Sequence, residues 1–343
     1  MKNPFNIAAL VALALTLMVA CKPNEPENYQ EKMDELTGII NSPEEEQMEI
    51  TIENLTGIWE NIGDAWGTNA TDLNYIRPKA TSDDDYYYTF HLDKSYELNC
   101  VRKANTISMS WESYSVDMKH LAASNGIWNL SNNNILLKYC ESCNEQTLRI
   151  HSLTKDALVI SMDSKNGDGT DIIVFNIYKR ITESPELPLS LDESLMQYDW
   201  ILESDSVLYR HIVQDEYGGI ISMDVIDSKI NQLKQNLVWQ FRKSGEERVF
   251  TETDAEGNVL HNSVWTTADI TLNLYFNEDY SLTDFYKSLN IQETVQTYRN
   301  YLNGFFYLSD GNKTLHYLHS VESIEPEKRF EYPITVMLTF KAK

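Results

Sequence analysis

Cations are scarce in this chain of 343 residues: 28 Lys and Arg stand against 52 Asp and Glu, a formal net charge of -24. A duplex phosphate backbone would be repelled rather than neutralised, so nucleic acid is not an expected partner. Long apolar runs are also missing. The most extended run of small and apolar residues, Ile7 to Ala20, falls short of the ~20 residues a membrane-spanning helix needs. There are four cysteines. Only Cys140 and Cys143 form a C-x-x-C pair, and no second pair or neighbouring His pair completes a four-ligand zinc site. A G-x-S-x-G elbow, a P-loop, a dinucleotide glycine pattern and H-E-x-x-H are all absent. Neither a cofactor, a metal nor a catalytic residue is expected, and the chain reads as non-enzymatic.

What is present argues for folded cores and an exported protein. A hydrophobic fraction of 42%, with 11% aromatic residues, can fill cores, and the length predicts two domains. Lys2, the apolar run and Met18-Val19-Ala20-Cys21 form a signal-peptide pattern over residues 1–20. Those last four residues resemble the lipobox of bacterial lipoproteins. The resemblance implies lipidation at Cys21 and a chain anchored by its lipid in the cell envelope, at the outer membrane, with the periplasmic and surface faces both compatible. Glu25 and Glu27 resemble the acidic export signal of surface lipoproteins of Bacteroidetes. Residues 21–50 stay polar and acidic and read as a flexible tether, with one turn of helix at Asp34–Asn41.

From Thr51 onward, short runs of β-branched and aromatic residues alternate with Asn, Asp and Gly, which are strand and turn signals. Strands are expected near Gly57–Ile62, Tyr86–Leu92, Tyr96–Val101, Thr106–Met118, Ile135–Tyr139, Thr147–Ser152, Ala157–Met162 and Asp171–Tyr178. The loop Asp163–Gly169 reads as a hairpin; as a calcium loop it has Lys165 in a ligand position and no closing acid. Leu55-Thr56-Gly57-Ile58-Trp59 resembles the G-x-W opening strand of lipocalins. Gly126-Ile-Trp128, Leu148–Ile160 and Phe175–Arg180 resemble the lipocalin-like domains of Bacteroidetes lipoproteins. The resemblance implies an antiparallel β-barrel over residues 51–182, with Trp59 and Trp128 in its core.

The prolines of Glu183-Ser-Pro185-Glu-Leu-Pro188 place a boundary at 182–191. Residues 191–343 echo the first module in order: Trp59 finds Trp200, Tyr88-Thr-Phe90 finds Trp239-Gln-Phe241, Trp128 finds Trp265, and Tyr178 finds Phe340. The expected fold is therefore mainly β, two tandem lipocalin-like barrels. The second is a candidate divergent repeat, with helices added at Val225–Gln235 and Ser281–Leu302.

Few residues invite chemistry. Cys100, Cys140 and Cys143 are candidates for a disulfide or free thiols. His316 and His319 are three apart, which on a strand puts them on opposite faces. Asp83-Asp84-Asp85 and Glu252, Asp254 and Glu256 read as solvated acids. The expected role is non-catalytic binding of a small apolar or amphipathic ligand, or contact with another envelope protein. A glycan-binding surface and a hydrolase are the alternatives. A barrel crowded by Trp59, Phe90, Trp111, Trp128, Leu136 and Phe175 is expected to be packed or to hold an apolar pocket, and the net charge favours neutral or cationic ligands.

Overall fold

The computed structural model describes residues 28–108, 113–140, 142–214, 220–229, 237–276, 301–321 and 334–343. The signal segment, Cys21 and Trp111 lie outside the described residues, as do 281–300 of the second expected helix.

The chain forms two closed antiparallel β-barrels in tandem. The first comprises β1 (Gly57–Asn69), β2 (Asp72–Pro78), β3 (Asp85–Phe90), β4 (Ser95–Ser108), β5 (Ser113–Ser131), β6 (Asn134–Lys138), β7 (Gln146–Leu153), β8 (Ala157–Lys165) and β9 (Asp171–Ile181). β1 closes the ring against β9. Its other edge is shared: β3 pairs with Gly57–Glu60 and β2 with Gly63–Asn69, so nine strands occupy eight positions. The second barrel repeats this with β10 (Asp199–Gln214), β11 (Ile220–Lys229), β12 (Val238–Ser244), β13 (Glu247–Thr253), β14 (Val259–Ala268), β15 (Thr271–Phe276), β16 (Tyr301–Ser309), β17 (Thr314–Val321) and β18 (Ile334–Ala342). β10 closes against β18 and shares its other edge between β12 and β11.

The matched tryptophans do matching work. Trp59 Nε1 donates to Leu55 O and Trp200 Nε1 to Leu195 O, each at 2.8 Å. Trp128 Nε1 donates to His91 O and Trp265 Nε1 to Arg242 O, each at 3.1 Å. Leu55 ends the one-turn helix α2 (Ile52–Leu55), and Leu195 lies in α3 (Leu191–Met196), which a Ser190–Glu193 capping box starts. Each short helix thus brings a carbonyl under the first strand of its barrel. Arg180 lies over the Trp59 ring at 4.2 Å and donates to Thr56 O and Asn54 O, fastening the last strand to the first.

Four expectations are corrected. The segment Thr106–Met118, read as one strand, supplies the outer parts of a hairpin, β4 and β5, because Thr106 pairs back onto Ser115. Val225–Lys229 is strand, paired with Ser206–Arg210, and not helix; an apolar pattern this short fits either period, and sheet pairing decides. Leu302 is likewise on β16. The stretch read as a flexible tether contains helix α1 (Tyr29–Ile40), whose Leu36 and Ile40 are buried against Ala65, Val159, Phe175 and Ile177 on the outside of the first barrel. Gly63 permits this approach, since a Cβ there would meet Leu36 Cδ1 at 2.6 Å.

The barrels share a core. Ile107 and Met118, at the outer part of the β4–β5 hairpin, are buried with Leu191, Leu195, Trp200 and Ile270 of the second barrel. The linker follows the same hairpin, with Leu121 N donating to Leu189 O. His120 is buried beside this junction, its Nε2 4.0 Å from Asp269 Oδ1. Burial lowers the pKa of the His120 imidazole; Asp269 pulls it up, and Arg102, paired across the strands, pushes it down.

Two outcomes are expected. Met118→Ala should destabilise the second barrel by about 2–5 kcal/mol in denaturant unfolding, as for other buried Met truncations; an unchanged midpoint would show that the hairpin merely touches. A depressed folded-state pKa stabilises fully above the unfolded value of about 6.5, and that contribution is lost as pH falls. Wild type should therefore lose stability relative to His120→Gln between pH 7.5 and 5, and parallel curves would contradict the assignment.

Candidate functional site

Among the described residues, large apolar side chains occupy the interior of each barrel. Trp59, Tyr88, Phe90, Tyr96, Trp128 and Tyr178 are buried together in the first, with Ile135, Leu137, Leu148 and Ile160 around them. Trp200, Trp239, Phe241, Phe250, Trp265 and Phe340 fill the second. Trp239 lies 4.3 Å from Phe340 and 5.3 Å from Phe250, ring to ring. Leu136, expected inside, is on the other face of β6, because Ile135 and Leu137 take the inner positions. Phe175 likewise faces outward, under α1.

Among the described residues, three cavities lie on the outside of the first barrel. The one beneath α1 has a volume of about 370 Å³. Leu36, Ile62, Pro78 and Ala80 give it apolar walls, and Lys32, Lys79, Lys103 and Lys179 bring four ammonium groups. Asp85 sits between two of them: Lys103 Nζ is 2.8 Å from its Oδ1, and Lys79 pairs with the same oxygen. Burial alone would raise the Asp85 pKa, but hydrogen bonds from Lys103 and Lys79 hold it below the ordinary value. Lys79 also approaches Glu60 at 3.6 Å. Lys32 and Lys179 are exposed at the rim. Of the other two cavities, one of about 500 Å³ lies along Arg180–Pro185, and one of about 410 Å³ lies around Arg149, His151 and Phe175.

The aspartate run read as a solvated face is instead a clasp. Asp83 meets Arg77 at 3.4 Å, Asp84 meets Arg102 at 3.0 Å and accepts from Lys103 N, and Asp85 holds the two lysines. Asp83 and Asp84 sit in the linker after β2 and Asp85 opens β3, so the run's ion pairs join β2 to β4, which share no ladder hydrogen bonds. Glu252 also departs from the expectation. It is 4% exposed and accepts from Trp239 Nε1 at 2.8 Å, with His261 Nε2 4.0 Å away. Strand alternation carries it inside with Phe250. Asp254 caps the β13–β14 turn by accepting from Glu256 N and Asn258 N.

Cys140 and Cys143 form a disulfide across a tight turn, and Cys100 is a buried free thiol whose pKa burial pushes up to about 11. An inert thiol results. His316 accepts or donates at Ser309 Oγ (3.0 Å) and Thr339 Oγ1 (3.3 Å), whereas His319 Nδ1 engages Asn303 O, so the two have separate partners. Residues 163–169 form the β8–β9 hairpin, closed by Asn166 N to Thr170 O. Sequence reasoning missed β2 and the α1 groove. Lys32, Lys79, Lys103 and Lys179 are far apart in the chain, and only the basic Arg77 and Lys79 just ahead of three aspartates hinted at a clasp.

No family model matches the chain, and no curated protein matches it. Among solved structures it is similar to bovine odorant binding protein in complex with a selenium-containing odorant, at 13% identity and a TM-score of 0.20, covering 41% of this chain and 80% of that one. It is similar to a protein of unknown function from Nostoc punctiforme, at 9% identity and a TM-score of 0.21, covering 86% and 100%. It is also similar to a double mutant of transferrin binding protein B from Haemophilus parasuis, at 8% identity and a TM-score of 0.22, covering 83% and 75%. At such scores none of these likenesses bears on ligand or activity. The tandem barrels rest on the chain's own strand pairing.

Proposed function

We propose that this chain is a lipid-anchored binding protein of the cell envelope that performs no chemistry on its ligand, and that it holds a small amphipathic ligand on the outside of its first barrel. The observation that carries the reading is the filled interior: where aromatic side chains occupy both barrels, recognition falls to outer surfaces. The groove beneath α1 has apolar walls for a chain and, for an acidic end, two exposed ammoniums, Lys32 and Lys179, against one exposed carboxylate, Glu35. This revises the expectation, drawn from net charge alone, that the ligand is neutral or cationic. The signal-like amino terminus ending in Cys21 supports the envelope, and the Cys140–Cys143 disulfide suits an oxidising compartment. Helix α1 begins eight residues after Cys21, so a lipid at Cys21 would hold the start of α1 within about 28 Å of the anchor at ~3.5 Å per residue.

Titration of residues 22–343 with a long-chain fatty acid should give saturable binding without turnover. The Lys32→Glu, Lys179→Glu double variant should weaken it roughly tenfold, about 1.4 kcal/mol, more at low salt than at high. Unchanged affinity in that variant removes the groove from the reading, and turnover removes the non-catalytic claim. In cells, Cys21→Ser should move the protein from the membrane to the soluble envelope fraction; a wild-type chain that never takes up labelled fatty acid would sink the lipid anchor.

A further inference from the structure

The second barrel carries an outward surface that its fold does not require. In β15, Leu272, Leu274 and Phe276 point into the core, so alternation turns Asn273 and Tyr275 to the outer face, where Tyr275 is exposed and Asn273 is covered by its neighbours. Register then lines up Val264, Tyr275 and Tyr301 across three strands. Val264 is 41% and Tyr275 45% exposed. The Tyr275 and Tyr301 ring centroids are 4.9 Å apart with 34° between their planes. Beside this strip runs a ladder of amides. Tyr301 Oη donates to Asn273 Oδ1 at 2.6 Å, Asn303 Nδ2 donates to the same oxygen, and Asn303 itself is exposed. Asn262, exposed on β14, flanks the strip on its other side.

The first barrel shows that the platform is a choice. Trp128 pairs with Leu137 as Trp265 pairs with Leu274, so Ile127 and Lys138 are the counterparts of Val264 and Tyr275. A lysine there serves the fold as well as a tyrosine. In a chain of net charge -24, the Val264–Tyr275–Tyr301 strip and its flanking amides carry no charge. Burial and the neighbouring Tyr275 raise the Tyr301 pKa, keeping its phenol neutral. Two tyrosine faces offer apolar area with little side-chain entropy to lose, and amides at strand spacing offer donors and acceptors. That combination matches a pyranose, with its C–H faces and ring of hydroxyls, and lacks what a charged or purely apolar partner would need.

We infer that the outer face of β14–β16 is a binding site for a neutral glycan, with Tyr275 and Tyr301 as the stacking platform and Asn262 and Asn303 as hydroxyl partners. The inference rests on the reading of the chain as a non-catalytic binding protein and adds a ligand class and a second site, apart from the α1 groove.

The test uses residues 22–343 with maltohexaose, xylohexaose and mannohexaose, followed by calorimetry. At least one should bind saturably. Tyr275→Ala should weaken it tenfold or more, Tyr275→Phe should retain it, and Lys155→Glu, at an exposed position on the first barrel, should leave it unchanged. Tyr301→Phe, which keeps the ring but loses the bond to Asn273, should weaken it less than Tyr275→Ala does. Binding by none of the three sugars overturns the inference, as does binding that Tyr275→Ala leaves intact. A dimer in solution that Tyr275→Ala dissociates also overturns it, by assigning the face to a second copy. Fatty-acid binding that persists when the sugars fail would leave the binding-protein reading standing; turnover of a sugar would bring both down.

Discussion

The hydrogen bond from a buried indole to the carbonyl of a short preceding helix governs both halves of this molecule. Trp59 and Trp200 are fully buried, and each donates its N–H downward to Leu55 O or Leu195 O. A bulky apolar ring is thereby fixed at one end of each barrel with its polar atom satisfied, which removes the cost of an orphaned buried donor. The other aromatics share its core: Phe90 lies against Tyr88 and Trp128 in the first barrel, and Trp239 gathers Phe241, Phe250, Tyr317 and Phe340 in the second. Because a ring of eight strand positions encloses little more space than its side chains need, filling one end with Trp, Tyr and Phe takes up much of the interior.

The same constraint explains why polar groups gather on the outer wall and at its seams. β2 and β3 divide one edge of β1, and the linker between them leaves β2 and β4 without ladder hydrogen bonds. Asp83, Asp84 and Asp85 fill that seam with ion pairs to Arg77, Arg102, Lys79 and Lys103. Partly buried pairs of this kind are screened less than surface pairs. The α1 groove follows from the seam, since the lysines that neutralise Asp85 also line the cavity beneath the helix.

The tandem arrangement is more than two beads on a string. Ile107 and Met118 of the first barrel complete the core of the second, and the linker adds itself to the edge of β5 at Leu121. An opening in one barrel is therefore felt in the other. Buried His120 beside Asp269 adds a titratable group to that junction.

Much of the architecture was legible in the sequence because alternation and turn chemistry are local. The runs around Trp59, Phe90, Trp128 and Tyr178, and their echoes at Trp200, Phe241, Trp265 and Phe340, identify two β-modules and their core aromatics. Asn132 and Asn133, both with positive φ, mark the tight β5–β6 hairpin. Where a short apolar segment fits both periods, as at Val225–Lys229, the sequence leaves the element undetermined, and pairing to β10 settles it as strand. The surface sites needed the tertiary structure for a different reason. Lys32, Lys79, Lys103 and Lys179 meet only because a helix crosses the outside of a closed wall, and Val264, Tyr275 and Tyr301 meet only through strand register. By itself the sequence determined which residues alternate and where the chain turns, since neighbours along the backbone fix those. Which distant side chains share a surface was decided by barrel closure and register, because cross-strand spacing brings together residues that chain order keeps apart.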